Sequence, residues 1–199
     1  MGVLSRYNHS PGNQHHTAVK QVFCYLQGTS NNYILYNENS SILDPVIYCN
    51  ADQASDPNDQ KSISGYTAVL SGAAISWSSK KQTTISLSST EAEYVAAVRA
   101  TQEAIWIHTF LFKIGHPLKE PINFYVNNQS AIKLVENPVA HDCTKHIDIK
   151  YHFIRDIEAR KIINVEYCPT NDQIANVLTK PLSCEKHKHF TEQMGLRST

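Results

Sequence analysis

Apolar residues along this chain change their spacing several times, and each change marks a predicted element. Over 15–26, Ala18, Val22, Phe23 and Leu26 recur at helical spacing and Gly28 supplies the stop, which predicts a helix. A short β-rich run at 33–36 follows, then polar residues over 37–41, then the apolar and β-branched run 45–49, which predicts a central strand. Segments 62–71 and 73–79, joined at Gly72, predict a hairpin, and the alternation over 83–87 predicts one more strand. Ser88, Ser89 and Thr90 offer N-caps ahead of Glu91 and Glu93, and the run of apolar and small residues to Ile114 predicts the longest helix, ended by Gly115 and Pro117. Beyond it the pattern predicts a strand at 122–126, a helix at 130–135 closed by Asn137 and Pro138, a helix at 147–157 and a strand at 162–167. A further helix is expected from Pro169 and Thr170 to Lys180, stopped by Pro181, and a weakly amphipathic helix from Cys184 onward. The order βββαβααβα predicts an α/β fold, a mixed sheet flanked by helices.

Composition narrows the class. With 199 residues, 41% of them hydrophobic and 18% charged, the chain supports one main core. The pattern divides it into a helix-and-strand unit at 1–41, a main domain at 42–183 and a tail helix at 184–199. Eighteen basic residues balance eighteen acidic ones, which excludes nucleic-acid attraction by net charge and leaves only local patches for that purpose. Five cysteines with neither a CxxC pair nor zinc spacing read as reduced, mostly buried thiols. No apolar run approaches the roughly 20 residues of a membrane span, and the N-terminus, with His9, His15 and His16, lacks a signal-peptide core. The expectation is an intracellular protein, cytoplasmic or nuclear, without membrane contact.

Six strings carry a resemblance: SISGYTAVL at 62–70, ISWSSKKQ at 75–82, LSSTEAEYVAA at 87–97, NQSAIKLVENP at 128–138, TKHIDIKYHFIRD at 144–156 and EYCPTNDQIANVLTKPL at 166–182. In this order they resemble the ribonuclease H domain of copia-type LTR retrotransposon Pol polyproteins. Residues 1–29 are similar to the segment that connects the reverse transcriptase to that domain. The resemblance implies a ribonuclease H-like five-stranded sheet, three antiparallel strands followed by two parallel ones. It also implies hydrolysis of the RNA strand of an RNA/DNA hybrid by two Mg²⁺ ions held between four carboxylates.

Carried over one by one, the family's acid positions fall on Asn50, Glu93, Asn127 and Asn176, so three of the four are amides. An amide oxygen can touch Mg²⁺ but brings no charge, and two divalent ions a few ångströms apart need several negative charges around them. The sequence therefore predicts a degenerate domain with weak or absent Mg²⁺ binding and little or no hydrolysis. Gln53, Ser55, Gln60 and His16 also depart from the residues usual in these strings. Asp→Asn, Gly→Ser and Arg→Gln can each arise from one G-to-A transition, which favours a natural origin over deliberate inactivation and leaves decay and selection for hybrid binding without cleavage both open.

Two further roles stay open at this level. Asp52 lies two residues beyond Asn50 on the same strand face and is a substitute metal ligand beside Glu93; Asp172 is a second substitute, although both read as ordinary surface acids. Glu91 and Glu93 compete, since either can complete a capping box, from Ser88 or Thr90. Lys80, Lys81, Ser78, Ser79, Asn128, Gln129, Ser130 and Lys145, with Lys133 and Lys150 beside them, are candidates for contacts to phosphates and 2′-hydroxyls, with RNA/DNA hybrid or RNA as partner. His146 and His152, six apart on a helix, do not form a metal pair, and Trp77, Trp106 and Tyr94 read as core or groove-wall aromatics. The rival functions are an active Mg²⁺-dependent ribonuclease H and a module that reuses the fold to bind a host protein.

Overall fold

The computed structural model describes residues 2–37, 44–56, 58–136 and 145–198, with the backbone alone at 134–136 and 145–151. The five-stranded sheet is built from β2 (Val46–Asp52), β3 (Ile63–Leu70), β4 (Ala73–Lys81), β5 (Ile122–Val126) and β6 (Ile163–Tyr167), in the spatial order β4-β3-β2-β5-β6. β2 pairs antiparallel with β3, as β3 does with β4, whereas β2 with β5 and β5 with β6 are parallel. This is the expected three-plus-two arrangement, with β2 at its centre. A two-residue turn joins β3 to β4, with φ of 53° at Ser71 and 78° at Gly72, the left-handed pair that a tight hairpin needs.

Before the sheet come α1 (Gly2–Ser5), α2 (Asn13–Gly28) and β1 (Tyr33–Ile34); after β4 come α3 (Ser89–Lys113), α4 (Gln129–Glu136) and α5 (Lys145–Ala159). The chain ends in α6 (Cys184–Gln193) and β7 (Leu196–Arg197), and β7 pairs antiparallel with β1, a pairing the hydrophobic pattern does not signal. The expected boundary between residues 41 and 42 lies outside the described residues.

α3 lies on one face of the sheet because its inner stripe is made of small side chains. Ala92, Ala96, Ala97, Ala100 and Ala104 are all buried and let the helix approach Ile47, Cys49 and Ala51 of β2 closely. Asn50, between Cys49 and Ala51, must then point to the opposite face. That face is covered by a 3₁₀ helix, Ile174–Leu178, together with α6 through Ile174, Phe190 and Met194. The close approach depends on Gly65, the cross-strand partner of Asn50: a Cβ there would lie 2.7 Å from Thr179 Cγ2 and 2.9 Å from Leu178 Cβ.

Four expectations are corrected. Residues 83–87 form no strand: the buried Gln82 side chain donates to Ser64 Oγ and the Ala92 carbonyl and accepts from Ser86 Oγ, which pulls the segment off the ladder and leaves Ile85 and Leu87 in solvent. The helix expected over 169–180 is a turn followed by the 3₁₀ helix, because Gln173 Nε2 is drawn to the carbonyls of Cys49 and Tyr125. Of the two readings for Trp77 and Trp106, core is excluded and groove wall remains: they are 54% and 58% exposed, on the edge strand and the outer face of α3, while Tyr94 at 1% is core. Of the four cysteines described, Cys49 and Cys168 are buried but Cys24 and Cys184 are exposed, so the thiols are not mostly buried. No helix among the described residues is long and apolar enough to cross a membrane.

Candidate active site

The parallel register pairs Cys49 with Val126, so the next residues along, Asn50 and Asn127, emerge side by side at the C-terminal ends of β2 and β5. Asn127 Nδ2 donates to Asn50 Oδ1 over 3.0 Å, and Asn50 Nδ2 donates to Thr179 Oγ1 over 2.5 Å. Thr179 Oγ1 in turn donates to the Asn176 carbonyl, 3.3 Å away. Asn176 Nδ2 donates to the Thr170 carbonyl at 2.8 Å, and its Oδ1 is buried with no hydrogen-bond partner among the described residues. Asn50 and Asn176 are at 0% and 1% exposure. These amides fill an enclosed centre with bonds to one another and to the surrounding backbone and hydroxyl.

Glu93 enters from α3, and Glu91 does not compete with it. Ser88 Oγ accepts the Glu91 N–H, and Glu91 Oε2 accepts the Leu87 N–H at 2.7 Å, so Glu91 is spent on closing the helix start. Glu93 Oε2 accepts the Ala51 N–H at 3.0 Å, directly beside Asn50. Burial pushes its carboxyl up to about 8; the bond from Ala51 and the charge of Lys180 act the other way, and the charge of Asp52 adds to the rise. Asp52 is half-buried at the end of β2, and Asp172 is exposed in the turn before the 3₁₀ helix.

The donor set does not suit two divalent cations. Each of the three amides aims its Nδ2 at a neighbouring acceptor, and the Glu93 carboxyl, bonded to the N–H of the residue after Asn50, is driven toward its neutral form. No cluster of three or more His, Cys, Asp or Glu suited to a metal ion occurs among the described residues.

Around the centre the candidate contact residues separate. Lys80 pairs across the sheet with Ser64 and Lys81 with Ile63, so the two lysines leave opposite faces, as do Ser78 and Ser79. Lys80 and Ser79 are exposed and Ser78 is half-buried. Lys81 Nζ is engaged by Asp56 Oδ2 at 2.7 Å and Asp59 Oδ1 at 2.6 Å. Asn128 Oδ1 accepts the Ala131 N–H and so caps α4, whose first residues Gln129 and Ser130 are exposed beside Asn127, with Lys133 further along the same helix. The side chains of Lys145, His146 and Lys150 lie outside the described residues, and His152 is exposed.

Three residues that the sequence reading passed over shape the centre. Gln173, fully buried, bridges the carbonyls of Cys49 and Tyr125 and sets the turn that carries Asn176. Gln82 does the same for the start of α3, and Thr179 supplies the hydroxyl that links Asn50 to Asn176. Their signal was a polar residue inside a motif string, which periodicity alone assigns to the surface.

No protein-family model matches the chain. Over an aligned length of 200 that covers the whole of this chain, it is 40% identical to a retrovirus-related Pol polyprotein from transposon TNT 1-94 of Nicotiana tabacum, of which it spans 15%. It is 39% identical over 193 residues, 97% of its length, to a retrovirus-related Pol polyprotein from transposon RE2 of Arabidopsis thaliana, of which it spans 13%. Among solved structures it is similar to LC11-RNase H1 in complex with RNA/DNA hybrid, with a TM-score of 0.51 and 16% identity over 68% of this chain and 94% of that one. At that identity what is shared is the fold.

Proposed function

We propose, from the premise that this chain belongs to the copia-type retrovirus-related Pol polyproteins and carries their ribonuclease H-like domain, that it keeps the hybrid-binding shape without efficient hydrolysis. One observation carries the reading: where the resemblance implies carboxylates around two Mg²⁺ ions, Asn127, Asn50 and Thr179 are bonded to one another. A neutral amide that donates to its neighbour does not hold a cation, and a lone buried Glu93 does not hold two.

The surface supports retained binding. Ser79, two strands across from Asn50 on the same sheet face, and Gln129 and Ser130 at the start of α4 beside Asn127 stay exposed, with Lys80 exposed on the other face of the edge strand, and such groups contact phosphates and sugars without reading sequence. Removing three negative charges from the middle of this surface lowers its repulsion of a phosphate backbone. Binding of hybrid therefore proceeds without Mg²⁺ and weakens as salt rises.

The test uses purified full chain with a labelled RNA/DNA hybrid at low salt, in millimolar Mg²⁺ and in EDTA. The expected result is equal binding in both and no cleavage of the RNA strand. Specific cleavage by the unmodified protein would favour the active ribonuclease H, with Asp52 or Asp172 making up the site. No binding at all would favour the protein-interaction module, for which the exposed, stacked Trp106 and Phe110 pair is one available surface among the described residues.

A further inference from the structure

We infer that Asn50, Asn127 and Asn176 form a metal-independent clasp that fastens the end of β5 and the 3₁₀ turn to the central strand. Each amide is used as a donor, a role no carboxylate can fill. Asn50 is the hub. It accepts from Asn127, 77 residues away in sequence, and donates to Thr179, 129 residues away, and Thr179 passes the link to the Asn176 carbonyl. Asn176 Nδ2 then closes the turn on the Thr170 carbonyl. A carboxylate in place of the Asn127 amide would face Asn50 acceptor to acceptor, and one in place of the Asn176 amide would face the Thr170 carbonyl in the same way. Cations would then be needed to hold the three segments together.

The misfit between this donor set and a two-metal centre is thus a gain as well as a loss. Catalytic charge is gone, and in its place are long-range bonds in a site of 0–1% exposure at Asn50 and Asn176, where a bond between buried groups is costly to break. The clasp does not depend on whether the protein binds hybrid.

Thermal unfolding of the full chain tests it. The unmodified protein should melt at the same temperature in EDTA and in millimolar Mg²⁺. Asn50→Leu, similar in size but with neither donor nor acceptor, strands both Asn127 and Thr179 and should lower the melting temperature by about 5 °C or more. Thr179→Val keeps the shape and removes the hydroxyl's two bonds, of which only the one from Asn50 spans distant segments, so a smaller fall is expected. The double variant Asn50→Leu/Thr179→Val should melt well above the temperature that adding the two falls predicts, since both substitutions remove the same bond. Additive falls, or a rise of several degrees on adding Mg²⁺ to the unmodified protein, would overturn the clasp. If Asn50→Leu fails to fold, Thr179→Val decides alone, and a melting temperature unchanged from the unmodified protein overturns it. Cleavage of hybrid by the unmodified protein would instead remove the non-hydrolytic reading and leave these melts standing.

Discussion

Asp56 and Glu93 are each 6% exposed, and their carboxyl groups are driven in opposite directions. Asp56 lies against Lys81 Nζ at 2.7 Å and Arg6 Nη1 at 2.6 Å and also accepts the Asn58 N–H, which together hold its carboxyl far below the usual carboxylate range. Glu93 has one bond, from Ala51, and no cation in contact among the described residues; burial dominates and its carboxyl rises to about 8. Low exposure at both therefore goes with a fixed charge at Asp56, where two cations and a backbone N–H meet the carboxylate, and with a nearly neutral acid at Glu93, where desolvation outweighs a single bond. Among the described residues at the centre, no side chain plays the part that Lys81 and Arg6 play at Asp56.

The largest effect expected from this contrast is in stability against pH. The Glu93 carboxyl binds its proton more tightly folded than unfolded, so its contribution is full below about 4.5 and declines as pH rises toward about 8. The decline amounts to about 5 kcal/mol over that window. Chemical denaturation of the unmodified protein from pH 5 to 9 should show it, and Glu93→Gln should remove most of the slope and be the more stable form at pH 8. An unchanged slope in Glu93→Gln would break the contrast from this side.

Asp56 should behave with the opposite sign. Its carboxyl is lowered by folding, so the stabilisation is present above the ordinary carboxylate range and is lost as pH falls through and below it. Asp56→Asn should lower the melting temperature at pH 7 and flatten the loss of stability at acid pH. Because Arg6 binds the same carboxylate, that substitution should also expose residues 2–12 to faster proteolysis. Equal proteolysis of the two proteins would mean that the ion pair does not hold this segment.

How far the sequence reaches can be judged on these same residues. The β-branched run at β2, the small-residue stripe of α3 and the hairpin at Gly72 were legible because local pattern and tertiary fold agree there. Asn50 and Asn127 were brought together because the strands that carry them are parallel, adjacent and in register. What stayed hidden depends on distant partners. Gln82 and Gln173 look like surface residues until the carbonyls they bind are placed beside them, and their pull turns an expected strand into a loop and an expected helix into a 3₁₀ turn. Lys80 and Lys81 read as one basic patch, yet strand alternation sends them to opposite faces and Asp56 and Asp59 occupy one of them.

That last division gives the smallest of the expected effects. Lys80→Ala should weaken hybrid binding slightly, reduce its salt dependence by about one phosphate contact, and leave the melting temperature unchanged. Lys81→Ala should lower the melting temperature, because it removes a partner of Asp56 and Asp59, and should do less to the salt dependence. Reversed outcomes would place Lys81 in the nucleic-acid surface and return Lys80 to the background.

The most direct measurement restores the charge that the centre lacks. RNA-strand cleavage of a hybrid should be followed in millimolar Mg²⁺ for the unmodified protein, the three single variants Asn50→Asp, Asn127→Asp and Asn176→Asp, and the triple variant. The account predicts cleavage by the triple variant alone, since acids that share ions act as a unit and two remaining amides still leave an ion poorly held. Adding Glu93→Gln should abolish that cleavage and adding Glu91→Gln should not. Cleavage by the unmodified protein, or a folded, hybrid-binding triple variant that stays inactive, would contradict it.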